Sequence, residues 1–247
     1  MISKEALKEY ARTKGYNLGQ AEKDYFQEII LFVLYQEFGK ELVFKGGTAL
    51  TKCYGFNRFS EDLDFNCSEE KNFREVISAG LKRYYLDFEI DSKKSKESIR
   101  IIVRIKGPLY MGQKNSACRV ILDISLREKL NLEPNIKRIG IHIEEIPLFD
   151  VVVMSEKEIL AEKVRALMTR NKARDLYDLY YLLEKGVKID KKLIDKKLEY
   201  YSLIFTKKKF LEAVNLHERI WQGELKHLVN TYPDFKIVKK KVIESIL

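Results

Sequence analysis

KGGTALTKCYGFNRFSEDLDF, residues 45–65, sets a glycine pair and a threonine ahead of two aspartates, Asp62 and Asp64, one residue apart. The run just before it, ELVFK at 41–45, reads as a short apolar strand, and helical spacing begins at Thr48. Gly46 and Gly47 therefore occupy the turn of a strand-turn-helix. Backbone N–H groups at the positive end of a helix suit a phosphate, and a Cβ at the turn would hold the backbone away from it. Thr48 adds a hydroxyl. The bland alternative is an ordinary tight turn.

If EDLDFN is a strand, its period of two puts Asp62 and Asp64 on one face and Leu63 and Phe65 on the other, toward a core. Carboxylates this close resist burial unless a cation sits between them. Mg²⁺ fits that description, because it takes one or two carboxylates and completes its shell with water and phosphate oxygens. The competing reading is a solubilising sheet edge. In RVILDIS, 119–125, Val120, Leu122 and Ile124 alternate with Ile121, Asp123 and Ser125. An acid in the middle of such a strand needs a partner. Either Asp123 joins Asp62 and Asp64 in a three-carboxylate site able to hold two metals, or it pairs with an arginine such as Arg119.

Outward from this stretch, helical spacing runs from Asn17, a plausible N-cap, through Tyr25, Phe26, Ile29, Ile30, Val33 and Leu34. After residue 60 the period shortens. DLDFN, YLDFEID, SIRIIVRI, CRVILDISL and IGIHIEEI read as strands, interrupted by one helix near 70–83. From Ser155 the pattern is helical to the end. SEKEILAEKVRALM opens with a capping box, Ser155 to Glu158, and RDLYDLYYLLEKG closes at Gly186. The expectation is an α+β fold: a mixed α/β domain over 1–153 and a helical domain over 154–247.

Composition bounds the class of protein. The chain has 247 residues, 45% hydrophobic and 34% charged, which describes a globular protein with a heavily charged surface. The longest apolar run, IILFVLY at 29–35, is too short to span a bilayer, so no membrane association is expected. The first residues mix acids and bases where a signal peptide needs an apolar stretch, which points to the cytoplasm. Cys53, Cys67 and Cys118 read as buried thiols, and the histidines at 142, 217 and 227 lack zinc spacing.

The formal net charge of +9 invites a polyanion. Residues 187–247 hold fourteen Lys/Arg against eight Asp/Glu, with lysine triplets at 207–209 and 239–241 among Tyr200, Tyr201, Phe205, Phe210 and Trp221. Cations hold phosphates and aromatic rings stack on bases, so this quarter is an RNA surface or a solvated helix face.

In LAEKVRAL, Lys163 lies near the boundary of its helix's apolar side, either reaching into a cleft or simply on the surface. Arg174 and Asp178 stand one turn apart and can form a helix ion pair, leaving Asp175 the freer carboxylate. Arg58 and Ser60, between the turn and the aspartates, brace phosphates or hold the loop.

Taken in order, GGTAL, RFSEDLDF, the third strand aspartate, LAEKVRAL and KARDLYDLYYLL resemble the AbiEii family of nucleotidyltransferase toxins, within the polymerase β-like nucleotidyltransferase superfamily. The likeness runs from about Leu42 to Leu183. It implies a polymerase β-like domain, a mixed sheet with flanking helices, followed by a helical domain. It further implies a toxin of a type IV toxin–antitoxin system, with a cognate antitoxin, that uses a nucleoside triphosphate and Mg²⁺ to modify an RNA, as relatives do at the 3′ end of tRNA.

Carried onto this chain, Gly46, Gly47 and Thr48 match the phosphate turn, and Asp62 and Asp64 match the metal carboxylates. Lys163 matches the lysine on the triphosphate, and Asp175 or Asp178 the final acidic motif. Asp123 is placed by strand pattern alone. Thr48 stands where serine is common in the superfamily, and 13 residues separate Thr48 from Asp62. The alternatives are transfer to a protein hydroxyl, or a non-catalytic RNA-binding module on the same fold.

Overall fold

The computed structural model describes residues 1–127, 129–140 and 146–247. Helix α1 (Lys4–Lys14) is capped by Ser3, and α2 (Leu18–Phe38) by a capping box in which Asn17 and Gln20 exchange side-chain and backbone hydrogen bonds. Helix α2 is buried along most of its length, which explains why its apolar residues form a band rather than a stripe. Strand β1 (Leu42–Lys45) leads directly into α3 (Gly46–Tyr54), and β2 (Asp62–Cys67) follows the intervening loop.

Next come α4 (Phe73–Arg83), β3 (Phe88–Lys94), β4 (Ser98–Ile105), β5 (Cys118–Ser125), β6 (Asn135–Ile139) and β7 (Phe149–Val153). Among the described residues the strands form one seven-stranded sheet, in the order β3-β4-β5-β2-β1-β7-β6. Strands β2 and β5 pair in parallel, as do β1 and β7, and the remaining pairs are antiparallel. The sheet is therefore mixed. Leu63, Phe65, Val120, Leu122 and Ile124 are buried, and α2 packs on β5, β7 and α4.

The helical region holds α5 (Glu156–Thr169), α6 (Ala173–Glu184), α7 (Lys191–Glu199), α8 (Lys207–Leu216), α9 (Trp221–Leu225) and α10 (Phe235–Ile246). Ser155 caps α5 by accepting from the Glu158 N–H. The reciprocal half of the expected capping box is absent. Glu158 is fully buried and accepts instead from the backbone N–H groups of Asn131 and Leu132, both at 3.0 Å, and from Lys197 at 2.8 Å. Lys197, inside a run that reads as a solvated face, is thus buried between Glu158 and Glu162.

The chain divides into two compact units. One comprises residues 1–53, 59–129 and 134–153; the other comprises 54–58, 130–133 and 154–247. The short excursions matter, because residues 54–58 bring Arg58 into the helical unit although it lies beside the aspartates in sequence. Strands β6 and β7 lie on either side of the expected strand IGIHIEEI, 139–146, and only Ile139 is shared; of that run, 141–145 lies outside the described residues.

Candidate active site

In the sheet unit, β1 and β2 pair so that Lys45 lies opposite Asp64, and β2 and β5 pair so that Asp64 lies opposite Asp123. Strand β4 adds Arg100 opposite Asp123. Directly paired residues share a sheet face, so Lys45, Asp64, Asp123 and Arg100 form one row across four adjacent strands, with two acids flanked by two cations. Asp62, two residues from Asp64, belongs to the same face. All three aspartates are half-buried rather than enclosed.

The turn explains the glycine. Gly46 has φ +74°, and a Cβ built there would lie 2.3 Å from Asp64 Oδ2. A side chain at 46 would collide with the carboxylate as well as strain the backbone. Gly47 is buried in the first turn of α3. Thr48, 1% exposed, donates its hydroxyl to the Asp62 carbonyl, tying the first turn of α3 to the start of β2. That hydroxyl, expected at a phosphate, is engaged in holding the two motifs together.

From α2, Gln27 donates its amide to the carbonyls of Ser60 at 3.1 Å and Glu61 at 2.9 Å, fixing the approach to β2 through the Ser60 backbone. Lys52, at the other end of α3, is buried between Asp24 at 2.6 Å and Glu28 at 2.7 Å of α2. Burial pulls its ammonium pKa down, but the two carboxylates outweigh that and hold it above the ordinary lysine value. Helix α3 is pinned at both ends.

Asp123 has taken the arginine partner, and it comes from β4 rather than from Arg119. Arg100 Nε meets Asp123 Oδ1 at 2.7 Å and its Nη2 meets Oδ2 at 2.7 Å, a two-pronged contact that occupies both carboxylate oxygens. The guanidinium pKa rises above its ordinary value through the hydrogen bonds and charge of Asp123, with smaller contributions from Asp62 and Asp64.

Among the described residues, no three His, Cys, Asp or Glu side chains gather as a metal cage. Asp62 and Asp64, on one face with Asp64 packed against Gly46, fit one Mg²⁺ completed by phosphate oxygens and water. A second metal on Asp123 requires Arg100 to let go.

In the helical unit, Lys163 is neither a surface residue nor a free arm. It is buried, with Nζ 2.8 Å from Asp175 Oδ1 and 2.7 Å from Asp178 Oδ2. Asp175 is not the freer acid that helix spacing implies, because Arg170 also grips it at 2.7 and 2.9 Å. Asp178 accepts both prongs of Arg58, at 2.6 and 2.8 Å, so the loop arginine takes the place that spacing gives to Arg174. Arg58 holds the loop.

Burial alone would raise the carboxyl pKa of both acids, yet both lie below the usual aspartate value. Lys163 and Arg170 overcome burial at Asp175, and Arg58 and Lys163 do so at Asp178. Lys163 is held above its ordinary value by the same two acids, against burial.

The residues of the basic quarter divide between core and surface. Phe210 and Trp221 are core residues, and Tyr201 lies under the Arg165 guanidinium, 4.3 Å from ring centroid to Cζ. Lys241 pairs with Glu184 at 2.7 Å. Lys207, Lys208 and Lys209 are exposed in the first turn of α8, where the helix dipole disfavours cations.

The profile of the family described as "Nucleotidyl transferase AbiEii toxin, Type IV TA system" matches residues 30–241. Among solved structures, the nucleotidyltransferase toxin MenT4 from Mycobacterium tuberculosis superposes with a TM-score of 0.67 at 22% identity, over 99% of this chain and 88% of that one. A nucleotidyltransferase candidate from Helicobacter pylori gives 0.60 at 23% identity, over 90% and 91%. JHP933 from Helicobacter pylori gives 0.57 at 21%, over 92% and 89%. No curated protein sequence matches the chain.

Proposed function

The chain belongs to the AbiEii family of nucleotidyltransferase toxins of type IV toxin–antitoxin systems, and on that premise we propose that it transfers a nucleotide from a nucleoside triphosphate to the 3′ end of a tRNA, using Mg²⁺ held by Asp62 and Asp64. The observation that carries this reading is the closeness of Gly46 to Asp64, which brings a phosphate-binding turn and a carboxylate pair to one spot. Transfer is attack by an acceptor hydroxyl on the α-phosphorus in line with the departing pyrophosphate; the hydroxyl loses a proton, and one P–O bond forms as another breaks. Bound Mg²⁺ supplies charge neutralisation for the phosphate oxygens.

The chain's own residues do the rest. Asp62 and Asp64 would hold the cation at a fixed position, because Thr48 and Gln27 fix the backbone on either side of Asp62. The turn at Gly46 and Gly47 offers N–H groups to the phosphates, and donors fixed in advance stabilise developing charge at little reorganisation cost. The exposed lysines 207–209 provide sequence-independent attraction for the RNA backbone.

In this reading the domain boundary falls near residue 153, and Lys163 reaches the triphosphate by leaving one of its two aspartates. The test is to incubate the protein with Mg²⁺, each α-labelled nucleoside triphosphate and cell lysate, then separate RNA from protein. Label in RNA of tRNA length supports the reading. Label in protein favours a protein hydroxyl, and none in either supports a non-catalytic role.

A further inference from the structure

Arg100 and Asp123 form a side-chain pair across two adjacent strands. Arg100 lies on β4 and Asp123 beside it on β5, and Asp123 is in turn the direct neighbour of Asp64. The two-pronged contact engages Nε–H and one Nη2 N–H of Arg100, two of the five N–H donors that a guanidinium carries. The Arg100 side chain is 54% exposed and that of Asp123 34%, so the pair borders solvent on the face that carries the Asp62 and Asp64 carboxylates.

We propose that Arg100 is a phosphate-binding residue of the transferase site and that Asp123, instead of serving as a third metal ligand, is the positioning residue that orients it. Three features carry the assignment. The guanidinium occupies both Asp123 oxygens, and a carboxylate so engaged is a poor ligand for a hard cation. Asp62 and Asp64 already meet the one or two carboxylates that Mg²⁺ takes from protein. A planar fork held on one edge also presents its remaining donors in a fixed direction, which is how arginine recognises phosphate. The ligand is a phosphate group, either of the nucleoside triphosphate or of the RNA backbone.

This inference rests on the transferase reading, and the experiment separates the two. Binding of the four α,β-methylene nucleoside triphosphates with Mg²⁺ is measured by calorimetry without RNA, and binding of total tRNA is measured without nucleotide. Wild type, Arg100→Gln, Asp123→Asn and the double variant are compared, and Mn²⁺ affinity is measured separately by electron paramagnetic resonance.

The expected result is that Arg100→Gln weakens one of the two phosphate ligands by roughly tenfold or more. Loss in the nucleotide arm assigns the triphosphate, and loss in the tRNA arm the RNA backbone. Asp123→Asn should weaken the same ligand by less, leave Mn²⁺ affinity unchanged, and add nothing to Arg100→Gln in the double variant. Unchanged affinity for both ligands in Arg100→Gln overturns the proposal, as does a tenfold loss of Mn²⁺ affinity in Asp123→Asn. A wild-type protein that binds no nucleoside triphosphate overturns the transferase reading itself, and the inference with it.

Discussion

A Cβ at Gly46 would lie 2.3 Å from Asp64 Oδ2, so the glycine of the turn and the carboxylate of the strand share one volume. Gly46→Ala must therefore displace Asp64 and also strain a backbone at φ +74°, at a cost of about 1–3 kcal/mol for the backbone alone. Nucleotide transfer should fall at least as far as in Asp64→Asn, while circular dichroism still reports a folded protein. Wild-type transfer by Gly46→Ala would mean that the turn and Asp64 move independently.

Arg58 and Asp178 are a buried ion pair, and removing one partner strands the other. Arg58→Ala and Asp178→Ala should each destabilise by about 3–5 kcal/mol, a melting-temperature loss on the order of 10 °C for a chain of this size. Asp175→Ala should behave likewise, because Lys163 and Arg170 both depend on it. A melting temperature within about 1 °C of wild type for any of the three would remove the network from the stability of the helical unit.

Acid should expose the same network. Asp175 and Asp178 have carboxyl pKa values depressed by their cationic partners in spite of burial. A depressed folded value contributes stability that is present above the unfolded pKa of about 3.9 and is lost as the pH falls through the folded value. Lys163 has the opposite sign: its raised value contributes below the ordinary lysine pKa and is lost only as the pH rises through the folded one. The melting-temperature gap between wild type and Asp178→Asn should therefore be constant from pH 7 to about pH 5 and narrow below about pH 4. A gap that holds to pH 3 would contradict the depressed value.

The sequence made the sheet unit legible because its signals are local. Alternation in DLDFN and RVILDIS orients Asp62, Asp64 and Asp123 correctly, and the glycine pair marks the change from strand to helix, although α3 begins at Gly46 rather than at Thr48. Partners were not legible. Arg100 is 23 residues from Asp123 and Arg58 is 120 from Asp178, so strand register and chain path decide those pairs rather than spacing. Lys45 reads as the last residue of an apolar run, and only the β1–β2 register sets it opposite Asp64. Helix spacing points Arg174 at Asp178, but a pair at that spacing is worth little, and the buried Asp178 carboxylate is held by Arg58 and Lys163 from other elements.

Lys207, Lys208 and Lys209 crowd the positive end of α8, an arrangement that costs helix stability. Replacing all three with Gln should leave the melting temperature equal or slightly higher and flatten the salt dependence of RNA binding, by up to about 3 units of log–log slope. Nucleoside triphosphate binding should stay unchanged. An unaltered slope would return the triplet to an ordinary solvated helix end.

If Asp62 and Asp64 beside Gly46 are the reaction centre, nucleotide transfer in Asp62→Asn and Asp64→Asn is the decisive measurement. Each variant should keep its secondary structure and stay folded at the assay temperature, since Asn nearly matches Asp in shape and volume. Each should lose transfer of labelled nucleotide from every nucleoside triphosphate, as should the wild type in excess EDTA. Transfer at the wild-type rate by either variant, or by the wild type in EDTA, would contradict the account.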